Sequence, residues 1–84
     1  MIKDFKNKRV VVMGLGLHGG GKGVVKFFAQ QGAKILVTDL KTKIQLKESL
    51  VKLKGYKNIT YILGRHREGD FKNADLIIKN PGVP

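Results

Sequence analysis

The chain has 84 residues, with 17 lysines and arginines against 6 aspartates and glutamates, a formal net charge of +11, and no cysteine. That length allows one small domain, near the lower bound at which a single core is stable without staples, and the missing cysteines exclude disulfides and thiolate metal sites, which suits a reducing cytoplasm. The charge favours anionic partners, but the lysines are scattered, with no long basic run and no interleaved aromatics, so a solvated basic surface is expected and nucleic acid is argued against.

No apolar run is long enough to span a bilayer, and Met1-Ile2-Lys3-Asp4-Phe5-Lys6 lacks the apolar core of a signal peptide, so the expectation is a cytoplasmic chain with no membrane partner. Lys3 to Arg9 is a basic lead-in from which Phe5 tucks against the domain. Val10-Val11-Val12-Met13 reads as a strand buried on both faces. The glycine-rich stretch Gly14 to Gly21 then reads as a loop, and Val24, Val25, Phe27, Phe28 and Ala29 give the apolar spacing of a first helix, which Gly32 closes at its C′ position.

Ile35-Leu36-Val37-Thr38 is a second strand ending at Asp39. Leu46, Leu50 and Leu53, widened by Ile44 and Val51, predict a second amphipathic helix from Thr42, its N-cap, to Lys54, with Gly55 as its stop. Ile59 to Leu63 and Leu76 to Lys79 are a third and a fourth strand. Between them Gly64 to Asn73 is polar, with at most one helical turn. The alternation predicts an α/β, Rossmann-like three-layer fold, with a small parallel sheet of about four strands, flanking helices and right-handed crossovers. The chain stops at Val83-Pro84, directly after the fourth strand, so a continuation is expected.

Ligands of such sheets bind at the carboxyl ends of the strands, which here carry Gly14 to Gly21, Asp39 to Lys41, Gly64 to Arg67 and Asn80-Pro81-Gly82. Strand, glycine loop and helix in that order make a phosphate site, because free N–H groups converge where the helix dipole is positive. Gly14-x-Gly16-x-x-Gly19 also satisfies the dinucleotide fingerprint, in which the third glycine lets helix pack on strand, with Asp39 as the downstream acid. The bland alternative is a glycine-rich turn without a ligand.

Other constellations are weaker. His18 is either a phosphate donor or a solvent-exposed loop tip; His66, between Arg65 and Arg67, is either part of an anion-binding cluster or a solvated loop. Asp70 and Asp75 read as loop and strand-entry residues. No carboxylates are paired for acid–base work, Ser49 has no histidine at an informative spacing, and no Gly-x-x-x-x-Gly-Lys-Ser/Thr cradle for ATP is present.

With Gly14-Leu15-Gly16-Leu17-His18-Gly19 at the first loop, Thr38-Asp39 at the second strand end and Asn80-Pro81-Gly82-Val83 at the fourth, the chain resembles the N-terminal domain of the Mur ligases over essentially all of its length. The branch it is most similar to adds D-glutamate in peptidoglycan synthesis. The resemblance implies a domain, residues 1–84, that binds the UDP part of a UDP-N-acetylmuramoyl-peptide. It implies that ATP, Mg2+ and the amide-forming chemistry belong to a central domain and the amino acid to a third, both expected in cis, and that this segment holds no cofactor or metal and is not catalytic alone. Carried across, Gly14, Gly16, Leu17, His18, Gly19 and Gly20 lie in the diphosphate loop, with the N–H groups of Leu17 and His18 on the diphosphate. Asp39 takes the uracil contact with Leu40 and Lys41 beside it, and Gly82 helps enclose the uridine. This chain departs from the family pattern in a loop about two residues longer, in His18 for threonine or serine, in Leu40 for a polar residue and in Asn80 for serine. The reading from another class is an NAD(P)-binding module of a dehydrogenase or regulatory subunit, with Asp39 on the ribose hydroxyls.

Overall fold

The computed structural model describes residues 4–15 and 20–80. Four strands, β1 (Arg9–Met13), β2 (Lys34–Asp39), β3 (Ile59–Leu63) and β4 (Leu76–Lys79), form one sheet in the order β3-β2-β1-β4. Every pairing is parallel, with Val11 in register with Leu36 on one side and Ile77 on the other. The parallel α/β architecture is the one expected. Val10, Val11 and Val12 are all buried because β1 has neighbours on both edges and layers on both faces.

Alternate strand residues point to opposite faces. Val10, Val12, Ile35 and Val37 face helix α1 (Gly20–Gln30) and form one core with Val25, Phe28 and Ala29. α1 ends as its glycine predicts: Gly32 has φ 80°, its N–H donates to the Ala29 carbonyl at 3.1 Å, and the Ala33 N–H donates to the Phe28 carbonyl at 3.2 Å. This is the paired hydrogen bonding of a Schellman motif, with Phe28 and Ala33 supplying the usual apolar contact. The chain entry is fixed by Phe5, whose ring stands edge-on to Phe28 at 4.8 Å and to Phe27 at 6.3 Å.

Helix α2 (Lys47–Lys52) is shorter than the span from Thr42 to Lys54. Its N-terminal signal is nevertheless in place one turn earlier, where the Thr42 N–H donates to Gln45 Oε1 at 2.8 Å and the Gln45 N–H to Thr42 Oγ1 at 3.4 Å, a reciprocal capping box. Leu46 and Leu53 are buried in the core, but Ile44 is 86% and Val51 61% exposed. They do not widen the inner stripe, because a step of about 100° per residue carries both to the opposite side from Leu46. Gly55 does not end the helix either: the helix closes at Leu53, and Gly55 is not among the glycines with positive φ.

The sheet's far face is the thinner layer. The segment from Gly64 to Asp75 crosses it with a single 3₁₀ turn, Glu68–Phe71. A cavity of about 350 Å3 lies between that crossing, at Gly69 and Asn73, and the sheet residues Val11, Leu36 and Thr60. Asp75 has the strand-entry role read for it, its carboxylate accepting the Arg9 N–H at 2.8 Å. No helix among the described residues is long and apolar enough to cross a membrane.

Candidate functional site

At the carboxyl edge of the sheet, four strand ends are tied together by backbone groups. β1 ends at Met13, and Gly14, with φ 91°, turns in a conformation that favours glycine while its N–H donates to the Thr38 carbonyl at 2.7 Å. Leu15 is then fully buried, and its N–H donates to Asp39 Oδ2 at 2.8 Å. The other oxygen of the same carboxylate, Oδ1, accepts the Lys41 N–H at 2.8 Å. Asp39 is 4% exposed, and its buried carboxyl group is met by two N–H donors, one from the loop after β1 and one from the loop after β2.

The stitching continues on both sides. The Arg65 N–H donates to the Asp39 carbonyl at 3.1 Å and the Gly64 N–H to the Lys41 carbonyl at 3.0 Å, drawing in the end of β3. At β4, the Asn80 N–H donates to the Met13 carbonyl at 2.9 Å and its Nδ2 to the Gly14 carbonyl at 3.0 Å. Here the strand order switches, since β2 and β4 lie on opposite sides of β1. In open α/β sheets such a switch is where a crevice opens.

Gly14, Asp39, Leu40, Lys41 and the first turn of α1 therefore meet at one edge, together with Asn80. Leu40 is 53% exposed and Lys41 half-buried. Gly16, Leu17, His18 and Gly19 lie outside the described residues, as does Gly82. Gly20 and Gly21 belong to α1 rather than to the loop. The close approach of helix to strand falls at Gly21: a Cβ there would sit 2.5 Å from the Leu15 carbonyl oxygen, 2.7 Å from Asn80 Nδ2, and closer still to the Gly14 oxygen. A loop longer than the usual fingerprint moves that contact past Gly19, the position that spacing alone selects.

Charge gathers nearby. α1 has no acidic residue in its first turn but carries Lys22 there. The Lys22 ammonium is held below its ordinary range, first by the neighbouring Lys52 side chain, then by desolvation and the Lys26 charge, with Glu48 opposing. A helix N-terminus with lysines and no carboxylate suits an anion.

The basic trio at the end of β3 is not a joint cluster. Arg67 makes a bidentate pair with Asp70, both bonds at 2.9 Å, which raises its pKa, while His66 Nδ1 lies 2.7 Å from Thr38 Oγ1. The hydroxyl of Thr38, fully buried, is thereby satisfied. Sequence reasoning placed neither contact; only the β-strand alternation that turns Thr38 away from Asp39 gives a hint of the second. Among the described residues no group of histidines and carboxylates could hold a metal ion.

A family described as "Mur ligase MurD-like, N-terminal domain" matches residues 8–84. Among curated relatives, proteins named UDP-N-acetylmuramoylalanine--D-glutamate ligase match along most of the chain. That of Borreliella burgdorferi strain ZS7 is 44% identical over 84 residues, 99% of this chain and 19% of the relative. The Roseiflexus sp. RS-1 protein is 51% identical over 77 residues, 92% of this chain and 16% of the relative. That of Treponema pallidum is 47% identical over 78 residues, 93% and 15%. The chain spans about a fifth or less of the length of these relatives.

Proposed function

This chain belongs to the Mur ligase MurD-like N-terminal domain family, and on that premise we propose that its carboxyl edge binds the UDP part of a UDP-N-acetylmuramoyl-peptide for D-glutamate addition. The observation that carries the proposal is the single carboxylate of Asp39, which holds the loop after β1 through Leu15 and the loop after β2 through Lys41. A ligand that touches both loops at once, diphosphate at one and base at the other, finds them already fixed in relation to each other. Such preorganisation reduces the ordering cost of binding.

In this reading the backbone N–H groups of Leu17 and His18, in the glycine loop with Gly14, Gly16, Gly19 and Gly20, meet the diphosphate at the N-terminus of α1. Asp39 is the base-contacting acid. Each of its oxygens has a second lone pair beyond the one taken by a backbone N–H, and one of these accepts the uracil N–H. Leu40 and Lys41 flank the base, and Gly82 closes over the uridine. ATP, Mg2+ and amide formation belong to other domains in cis, so the segment binds without catalysing.

The test is a titration of the 84-residue chain with UDP, and separately with NADH, followed by backbone amide shifts. UDP should move Leu15, Gly20, Asp39, Lys41 and Asn80 together, and NADH should leave them in place. A response to NADH alone would overturn the proposal in favour of a dinucleotide site, and a response to neither would overturn it outright.

A further inference from the structure

The free side of β3 is a second place where this molecule offers more than its core requires. Among the described residues the strand order gives β3 one neighbour, β2, so the backbone N–H and C=O groups on its other side have no strand there to pair with. Beside it lies a groove of about 540 Å3, lined by Leu50, Leu53, Tyr56, Tyr61 and Leu63, with Lys43 and Lys54. Tyr61 and Leu63 are two residues apart on β3 and so share a face, and both are half-buried, as are Leu50 and Tyr56. Burial raises the Tyr61 pKa, moving it further above ordinary pH, where its phenol is a neutral O–H donor. The hydroxyl of Tyr56 is fixed by Gln30, whose Nε2 donates to it at 3.1 Å.

We propose that this groove receives an extended acidic peptide, which adds as a strand to the free side of β3, lays alternate apolar side chains against Leu50, Tyr56 and Tyr61, and pairs its carboxylates with Lys43 and Lys54. An open sheet edge supplies main-chain hydrogen bonds and the flanking groove supplies selectivity for side chains, the usual division of labour in strand addition. Charge selects the partner. Both lysines are exposed and the lining contains no carboxylate among the described residues, on a chain of net charge +11. A second copy of the chain is the wrong occupant, since edge-to-edge pairing would bring Lys43 and Lys54 against their own images. A nucleic-acid strand fits less well, because it has no donors and acceptors spaced for a β-edge.

The experiment uses the isotopically labelled 84-residue chain and three probes: a capped peptide alternating glutamate and leucine, its counterpart alternating lysine and leucine, and a short oligo(dT). The acidic peptide should shift the amides of Ile59, Tyr61 and Leu63, whose N–H groups the parallel register with β2 turns to the free side, and slow their hydrogen exchange, while the lysine peptide leaves them unmoved. The double variant Lys43→Glu/Lys54→Glu should weaken that binding by roughly tenfold or more, with amides elsewhere unchanged as the check that the fold is intact. Absence of any shift with the acidic peptide, equal response to both peptides, shifts confined to other strands, or the same shifts produced by oligo(dT) would each overturn the proposal. None of these outcomes depends on whether UDP binds at the carboxyl edge.

Discussion

Gly21 and Gly23 stand on the same turn of α1 and meet opposite surroundings. A methyl group at Gly21 would collide with the carbonyls of Gly14 and Leu15 and with the Asn80 amide, whereas at Gly23 nothing lies within 4 Å. Two of the three obstacles at Gly21 are backbone, so the clash is relieved only by moving the helix or the loop. Gly21→Ala should therefore destabilise the chain by about 1–3 kcal/mol and displace the Leu15 amide resonance. Gly23→Ala, which only restricts the unfolded chain and improves helix propensity, should stabilise by about 0.5–1 kcal/mol. Urea denaturation of the two variants beside the parent checks both signs. Equal effects would mean that the α1–β1 approach is looser than the geometry requires. The same crowding explains why Asn80 matters: its Nδ2 occupies the space beside Gly21 while holding the Gly14 carbonyl.

At the level of elements, α2 shows how a core side and a solvent side divide along one short segment. Leu46 is 1% exposed and Ile44 86% exposed, although both fit an apolar helical pattern. Leu46→Ala should cost about 2–5 kcal/mol, the range for emptying a core position, and Ile44→Ala should stay within about 0.5 kcal/mol, again read from urea midpoints. Comparable losses at the two positions would place α2 in a different rotation. The strands were legible because continuous β-branched runs such as Val10-Val11-Val12 and Leu76-Ile77-Ile78 leave few other structures open. α2 was less so, since Thr42 and Gln45 do cap a turn there but the regular helix starts only at Lys47. At the candidate site the position of Asp39 was readable from its place at the end of a strand. Its two backbone partners and the Asn80 amide contact were not, because they depend on the path of loops that carry no periodic signal. The shift from Gly19 to Gly21 has the same origin, as loop length decides which glycine meets the strand.

Charge acts on the molecule as a whole. With 17 basic residues against 6 acidic ones, the compact state brings like charges together that the unfolded chain holds apart. The described residues show one salt bridge, Arg67 with Asp70, and it is an exposed i,i+3 pair that offsets little of this repulsion. Screening should therefore stabilise the fold: raising NaCl from about 20 mM to about 300 mM, which shortens the Debye length to well below the molecular diameter, should raise the melting temperature. pH should act in the same direction over a defined window. The folded-state pKa of Lys22 lies below its ordinary 10.5, so the folded chain releases that proton first and stability rises as pH climbs toward 10.5. Tyr61 works the other way, because its folded-state pKa lies above 10.0 and the unfolded chain ionises first, so stability falls as pH passes 10.0. Thermal melts between pH 7 and 11 should show stability increasing to a maximum near pH 10 and then declining. A melting temperature that is flat in salt at pH 7 would mean that the lysines are spaced widely enough for solvent alone to separate them, and that the basic surface costs the fold nothing.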